Sequence, residues 1–239
     1  MVAWLAIDVA LGACTPTALE PLLELPQTTV YVLGERRGTA LDLARAARLV
    51  AILPEPVTVA LQAVDRSHQP LLDDLAAGKV QAKDVPKLAA IEDTWGFPGR
   101  PYTPLLAAAD RVIALGGGPA RTPSDVAPQS PGRAHVLAAW AGPMPVAVEA
   151  DVVNAVTWTE HELALRALTT WDGRGSLVLV VDRLHVEGGG GVDWQIERQS
   201  DRTPAPVLLS PAGSKCGAGE ISWMWPGARA WHGMFSAQP

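Results

Sequence analysis

The strongest constraint on this chain is a rhythm. Through the first 150 residues, short unbroken apolar runs alternate with segments whose apolar residues return at helical spacing. The apolar runs are Val2 to Val9, Thr28 to Leu33, Val57 to Val64, Arg111 to Leu115 and Pro145 to Glu149. Between them, Thr17 to Leu25, Thr39 to Leu53, Leu71 to Ala77, Val85 to Thr94 and Leu105 to Asp110 read as helices. Strands that are apolar at every position are buried on both faces. Strand–helix alternation then predicts a parallel sheet covered on both sides. The expected fold is therefore α/β, a Rossmann-like, doubly wound, mostly parallel sheet. In such sheets ligands sit beyond the carboxyl ends of the strands. That directs attention to the loops 12–17, 34–38, 65–69 and 116–124.

The pattern changes near residue 150. Glu160 to Thr170 reads as a helix. Ser176 to Val186, the glycines Gly188 to Gly191, and Val192 to Arg198 read as a hairpin with a glycine tip. Val207 to Leu209 and Glu220 to Trp225 read as further strands. The expected division is a nucleotide-binding domain over 1–150 and a small β-rich C-terminal domain over 151–239. Six of the nine tryptophans fall between Trp158 and Trp231.

Composition removes several classes of function. Apolar residues make up 48% of the 239 and charged residues 18%, enough for a core and too apolar for global disorder. A net charge of −6 argues against duplex nucleic acid as a partner. Cys14 and Cys216 are too few for a disulfide framework. His68, His135, His161, His185 and His232 lack metal-ligand spacing, so no metal or other cofactor is expected. No run of apolar residues is long enough to span a membrane, and no basic leader precedes the first apolar run. A cytoplasmic location is the expectation.

Candidate ligand residues cluster in the strand-end loops. Gly116, Gly117 and Gly118 follow a strand directly, where bare backbone N–H groups can cradle an anion. Gly12, Cys14, Thr15 and Thr17 surround Pro16 at the expected start of the first helix, a second anion position. Arg36 and Arg37 offer bidentate phosphate contacts, and Arg121 and Ser124 add a cation and a hydroxyl. Lys215 lies in the Gly- and Ser-rich string 213–220. In each case an ordinary turn or cap is the competing explanation.

In layout, the two loops around Gly12–Thr17 and Gly116–Gly118 resemble the CRISPR-associated Rossmann-fold (CARF) family. There, a Gly-Thr-Ser-Pro-like turn and a Gly-Gly-Thr-Lys-like turn bind cyclic oligoadenylate across a homodimer. Here Cys14-Thr15 stands in place of the hydroxyl pair, and Gly118-Pro119 in place of Thr-Lys. The resemblance implies a sensor of a small nucleotide ligand in a CRISPR-type antiviral system, or a ring nuclease working without a metal. Thr15, Thr17 and Arg121 would then be catalytic. Gly12, Cys14, Arg36, Arg37, Gly116, Gly117, Gly118, Ser124 and Lys215 would bind ligand.

Two other readings stand beside it. One is a nucleotide- or nucleoside-processing enzyme of the N-glycosidase or phosphoribohydrolase type, which needs a carboxylate in its pocket. Asp8, Glu35 and Asp65 are the candidates. The other is a non-catalytic subunit that binds a protein through the Trp-rich C-terminal region.

Overall fold

The structure, a computed structural model, describes residues 29–117, 146–187 and 190–209, with the backbone of four short strands outside those ranges. In chain order the strands are β1 (Gly12–Ala13), β2 (Pro16–Thr17), β3 (Val30–Glu35), β4 (Val57–Asp65), β5 (Arg111–Gly116), β6 (Ser176–Asp182), β7 (Ala205–Leu208), β8 (Lys215–Cys216) and β9 (Ile221–Trp223). The helices are α1 (Ala40–Ile52), α2 (Gln69–Ala76), α3 (Val85–Leu88), α4 (Ile91–Trp95), α5 (Thr103–Ala108), α6 (Val146–Thr170) and α7 (Val192–Gln199).

Seven strands form one sheet in the order β2-β9-β7-β3-β6-β4-β5, with every pair parallel. β1 and β8 make a separate antiparallel pair. The α/β fold with a mostly parallel sheet is the one the apolar rhythm predicts, and β6, β7, β8 and β9 all come from beyond residue 150.

Side-chain alternation along the strands sorts the core into two layers. Tyr31, Leu33, Val59, Leu61, Val178 and Val180 face α1, α2 and α5, where Leu43, Leu49, Leu72, Leu105 and Leu106 meet them. Val30, Val32, Ala60, Leu177 and Leu179 face the opposite side, against Leu163, Ala164 and Ala167 of α6 and Val192 and Ile196 of α7. Each fully buried Leu contributes about 2–3 kcal/mol through the apolar surface it removes from water. Arg45 of α1, only 2% exposed, donates to the Leu209 carbonyl and ties the helix to the end of β7.

Several expectations need correction. Ser176 to Val186 is not a hairpin arm: β6 is inserted between β3 and β4, with Leu33 opposite Val180 and Ala60 opposite Leu179. Its uninterrupted Leu-Val-Leu-Val-Val run suits a central strand buried on both faces. Val192 to Arg198 is helix α7, because Val192 and Ile196, four apart, bury one face. The expected strand Pro145 to Glu149 is occupied from Val146 onward by the first turn of α6, a 25-residue helix that also contains Glu160 to Thr170. No glycine or proline interrupts the helix from Val146 to Thr170. Val85 to Thr94 divides into α3 and α4 at Ala90, which takes φ +48°. Pro16 and Thr17 lie in a strand rather than opening a helix. The expected strand Val2 to Val9 and most of the helix Thr17 to Leu25 lie outside the described residues. Strands from before and after residue 150 share one sheet, and that boundary falls within α6. Among the described residues, no helix is long and apolar enough to cross a membrane.

Candidate functional site

The connections set where a cleft can form. β3 and β4 leave the sheet toward the α1 and α2 side, whereas β6 leaves toward the α7 side. Neighbouring loops at the carboxyl edge of β3, β6 and β4 therefore diverge, which is the general location of ligand sites in such sheets. A register shift between Leu61 and Asp65 further parts β4 from β5.

At the end of β3, alternation places Glu35 on the same face as Tyr31 and Leu33. Glu35 is 4% exposed. It accepts the Gly38 N–H at 2.9 Å on one oxygen and the Tyr102 hydroxyl on the other. Burial penalises the charged carboxylate and pushes its pKa up to about 7; the two hydrogen bonds pull the other way without cancelling it. Burial also raises the Tyr102 phenol above its ordinary range, so that this group stays a hydrogen donor. Gly38 is required in this turn. Its φ is +71°, and a Cβ there would come within 2.5 Å of the Phe97 ring. Phe97 in turn packs on Tyr102 and on Trp95, with ring centroids 6.3 Å apart in each case.

The end of β6 supplies the facing wall. Asp182 pairs with Arg37, its N–H donates to Gln62 Oε1 at 2.7 Å, and its carboxylate accepts the Leu184 N–H at 2.9 Å. Arg183 Nε donates to Glu187 Oε2 at 2.7 Å and stiffens the following turn. His185 is buried, with Nδ1 3.3 Å from Glu160 Oε1 of α6. Glu35, Arg37, Gln62, Asp182 and His185 surround a hollow of about 60 Å³. That is room for a few ordered waters.

A larger cavity of about 460 Å³ adjoins it at the ends of β4 and β5, sharing Gln62 and Trp95. Its walls are Trp95 of α4, Trp158 and Leu163 of α6, and Leu115. Asp65, Arg66, Glu162 and Arg166 stand around it. Arg166 Nη1 donates to the carbonyls of Leu115 at 3.2 Å and Gly117 at 2.9 Å.

The sequence candidates distribute unevenly over this edge. Arg37 enters the small hollow. Arg36 is engaged elsewhere: its Nε and Nη2 meet the buried Asp42 of α1 at 3.1 and 3.3 Å. Gly116 and Gly117 line the large cavity, where their bareness serves packing. A Cβ on Gly116 would meet the Gln62 carbonyl at 2.2 Å, and one on Gly117 (φ +68°) would meet Asp65 Oδ2 at 1.5 Å. Gly12, Thr17 and Lys215 belong to β2 or to the β1–β8 pair, and their side chains are outside the described residues. Cys14, Thr15, Gly118, Arg121 and Ser124 also lie outside them. Of the alternative carboxylates, Glu35 and Asp65 reach the edge. Sequence reasoning missed Tyr102, Glu160, Asp182 and His185. One signal was available: Leu33-Gly34-Glu35-Arg36 and Val180-Val181-Asp182-Arg183 both end an apolar strand with a carboxylate followed by an arginine.

An α/β protein with an acidic, aromatic-lined cleft at the carboxyl edge of a parallel sheet is the class this geometry defines. The family described as haem-binding uptake, Tiki superfamily, ChaN matches over residues 22–129. No curated protein sequence matches the chain. Among solved structures, the chain is similar to that of cofacial heme binding to ChaN of Campylobacter jejuni. The TM-score is 0.56 at 12% identity, covering 80% of this chain and 85% of that one. It is also similar to the type III effector HopBA1, with TM-score 0.53 at 10% identity over 84% and 87% of the two chains.

These findings overturn the resemblance to the CARF family. The cyclic oligoadenylate ligand, the homodimer across which it would bind, and the role in CRISPR-type antiviral defence fall with it. The physical reason lies in the two loops. Pro16 and Thr17 are strand rather than helix entry, and Gly116 and Gly117 pack against β4 and hold Arg166 rather than offering an open anion cradle.

Haem can be tested against the residues present. An iron porphyrin needs an axial His, Tyr, Cys or Met where the ring has room. None of these residue types lines the 460 Å³ cavity among the described residues. His185 faces only the 60 Å³ hollow. Tyr31 and Tyr102 are buried at 3% and 0% exposure. His68 and His161 are partly exposed and line neither hollow, so the described lining of the 460 Å³ cavity supplies no axial ligand to a haem seated there.

Proposed function

We propose that the chain is a ChaN-like member of the Tiki superfamily whose carboxyl-edge cleft is an acid–base hydrolytic site for an ester or amide bond. One observation carries the reading: a buried carboxyl whose pKa is raised to about 7 shares a small, water-sized hollow with a carboxylate-backed histidine and an arginine. Perturbed titratable groups converging in a cleft are the usual signature of such chemistry.

The roles follow from position. Glu35, near half-ionised at neutrality, takes a proton from a water in the hollow. The water oxygen forms a bond to the carbonyl carbon of the substrate. Arg37, held over the hollow by Asp182, stabilises the negative charge that develops on the carbonyl oxygen. As the bond to the leaving oxygen or nitrogen breaks, His185 gives that atom a proton, with Glu160 holding the ring in orientation. Tyr102 and the Gly38 N–H keep Glu35 in place.

Haem binding is a second reading. The family description and the aromatic-walled cavity favour it, and the lack of an axial ligand among the residues lining that cavity opposes it. A panel of p-nitrophenyl esters and aminomethylcoumarin amides, with a parallel haemin titration, separates the two. The hydrolytic reading predicts turnover with a pH limb near 7, reduced about 10²–10⁴-fold by Glu35→Gln or His185→Gln. A ligated Soret band with no turnover of any probe overturns it in favour of haem.

A further inference from the structure

We propose that the 460 Å³ cavity is the recognition subsite of this cleft and that it takes a flat, neutral, aromatic group. The placement of that group relative to the bond cleaved rests on the hydrolytic reading; its binding does not.

Three observations converge. First, the cavity is flanked by indoles from opposite faces of the sheet. Trp95 ends α4 on the α1 side, and Trp158 belongs to α6 on the other. Indoles that line one cavity from opposite layers offer aromatic surface to a bound ring, and ring–ring contact adds to simple burial. Both indoles are anchored. Trp95 packs on Phe97, which packs on Tyr102 beside Glu35. Trp158 meets the His161 ring edge-on, at 5.7 Å and 85°, and His161 is itself held by Gln195 at 3.3 Å and Gln199 at 3.1 Å.

Second, the Trp158 Nε1–H is buried and has no hydrogen-bond partner among the described residues. A buried donor left unmade is costly, and turning the indole toward the cavity lets an acceptor on the bound group meet it. A carbonyl or ring nitrogen carried on the aromatic group satisfies it.

Third, the rim is charge-balanced, with Asp65 and Glu162 against Arg66 and Arg166. Arg166 is already committed to two backbone carbonyls and stands 3.6 Å from Glu162. Among the described residues the rim therefore carries no net charge, which favours a neutral group. Gln62 and Trp95 border both hollows, so a ligand seated between the indoles presents its adjoining bond to Glu35 and His185.

The test is calorimetric binding of 2-naphthamide and, as a non-aromatic control, cyclohexanecarboxamide. It is run on the full chain and on Glu35→Gln, so that the result is independent of any turnover. The expected result is at least tenfold preference for the naphthyl compound, retained in Glu35→Gln. Trp158→Phe should weaken it about fivefold by removing only the N–H, the loss of about one ordinary hydrogen bond. Trp95→Ala should weaken it about tenfold. Equal affinity for the two compounds, or affinity unchanged in both tryptophan variants, would overturn the proposal. If the preference holds while no ester or amide is turned over, only the hydrolytic reading fails.

Discussion

Strands β3 and β6 lie side by side and end alike, each with a carboxylate and then an arginine, yet the two ends do different work. Glu35 is enclosed by Tyr102, Phe97 and the α1 layer, and its acidity moves to about 7. Asp182 keeps a fifth of its side chain in solvent and pairs with Arg37. Nearly identical local sequence thus gives a buried carboxyl of raised pKa in one place and an ion-paired tether in the other. The environment supplied by distant residues makes the difference, as it does wherever two carboxylates in one site take separate roles.

The largest expected effect comes from removing the buried member. Glu35→Gln should cost about 10²–10⁴-fold in turnover. It should also flatten the pH dependence of stability. The folded-state pKa of Glu35 is raised from 4.5 to about 7, so the folded chain binds more protons than the unfolded one across that interval. The stabilisation is present below about 4.5 and is lost as pH rises through 7. A shift of this size corresponds to about 3 kcal/mol. Denaturant midpoints between pH 4.5 and 8 check this: they should fall in the parent chain and stay nearly level in the variant, apart from other groups.

Next in size is Gly38→Ala, which forces a left-handed residue and a Cβ against Phe97. A loss of about 2–3 kcal/mol in urea unfolding is expected, together with loosening of the Gly38 contact to Glu35. Tyr102→Phe follows, at about 1–2 kcal/mol, because the buried Glu35 oxygen loses its donor. That donor lowers the Glu35 pKa, so its removal should also move the acidic limb of turnover upward from about 7. The smallest effect belongs to the solvent-facing pair. Asp182→Asn should change stability by less than about 1 kcal/mol, since Arg37 is largely exposed. If Asp182→Asn and Glu35→Gln gave equal pH-dependent effects, the contrast between the two strand ends would be wrong.

The layer architecture was legible because it rests on local periodicity. Val30 to Leu33, Val57 to Val64 and the Leu-Val-Leu-Val-Val run of β6 each declare a buried strand. Strand order is not local. Nothing near residue 176 states that β6 pairs with β3 some 145 residues earlier, as the Arg37–Asp182 pair requires. The four glycines 188–191 mimic a hairpin tip, and only the burial of Val192 and Ile196 reveals a helix after them. The site was legible in part. Glu35 and Asp65 stood out as carboxylates at strand ends, and Arg37 as a cation beside one of them. His185 did not, because its meaning depends on Glu160, 25 residues away on α6. Tyr102 stayed hidden for the same reason, 67 residues from the carboxylate it serves.

The account turns on the acidity of one carboxyl group, which carbon-13 NMR of the glutamate side chains reads directly. One Glu resonance titrating with a midpoint of about 7, absent from Glu35→Gln and shifted upward in Tyr102→Phe, is the predicted result. A spectrum in which Glu35 titrates in the ordinary carboxylate range, near 4.5, would contradict it.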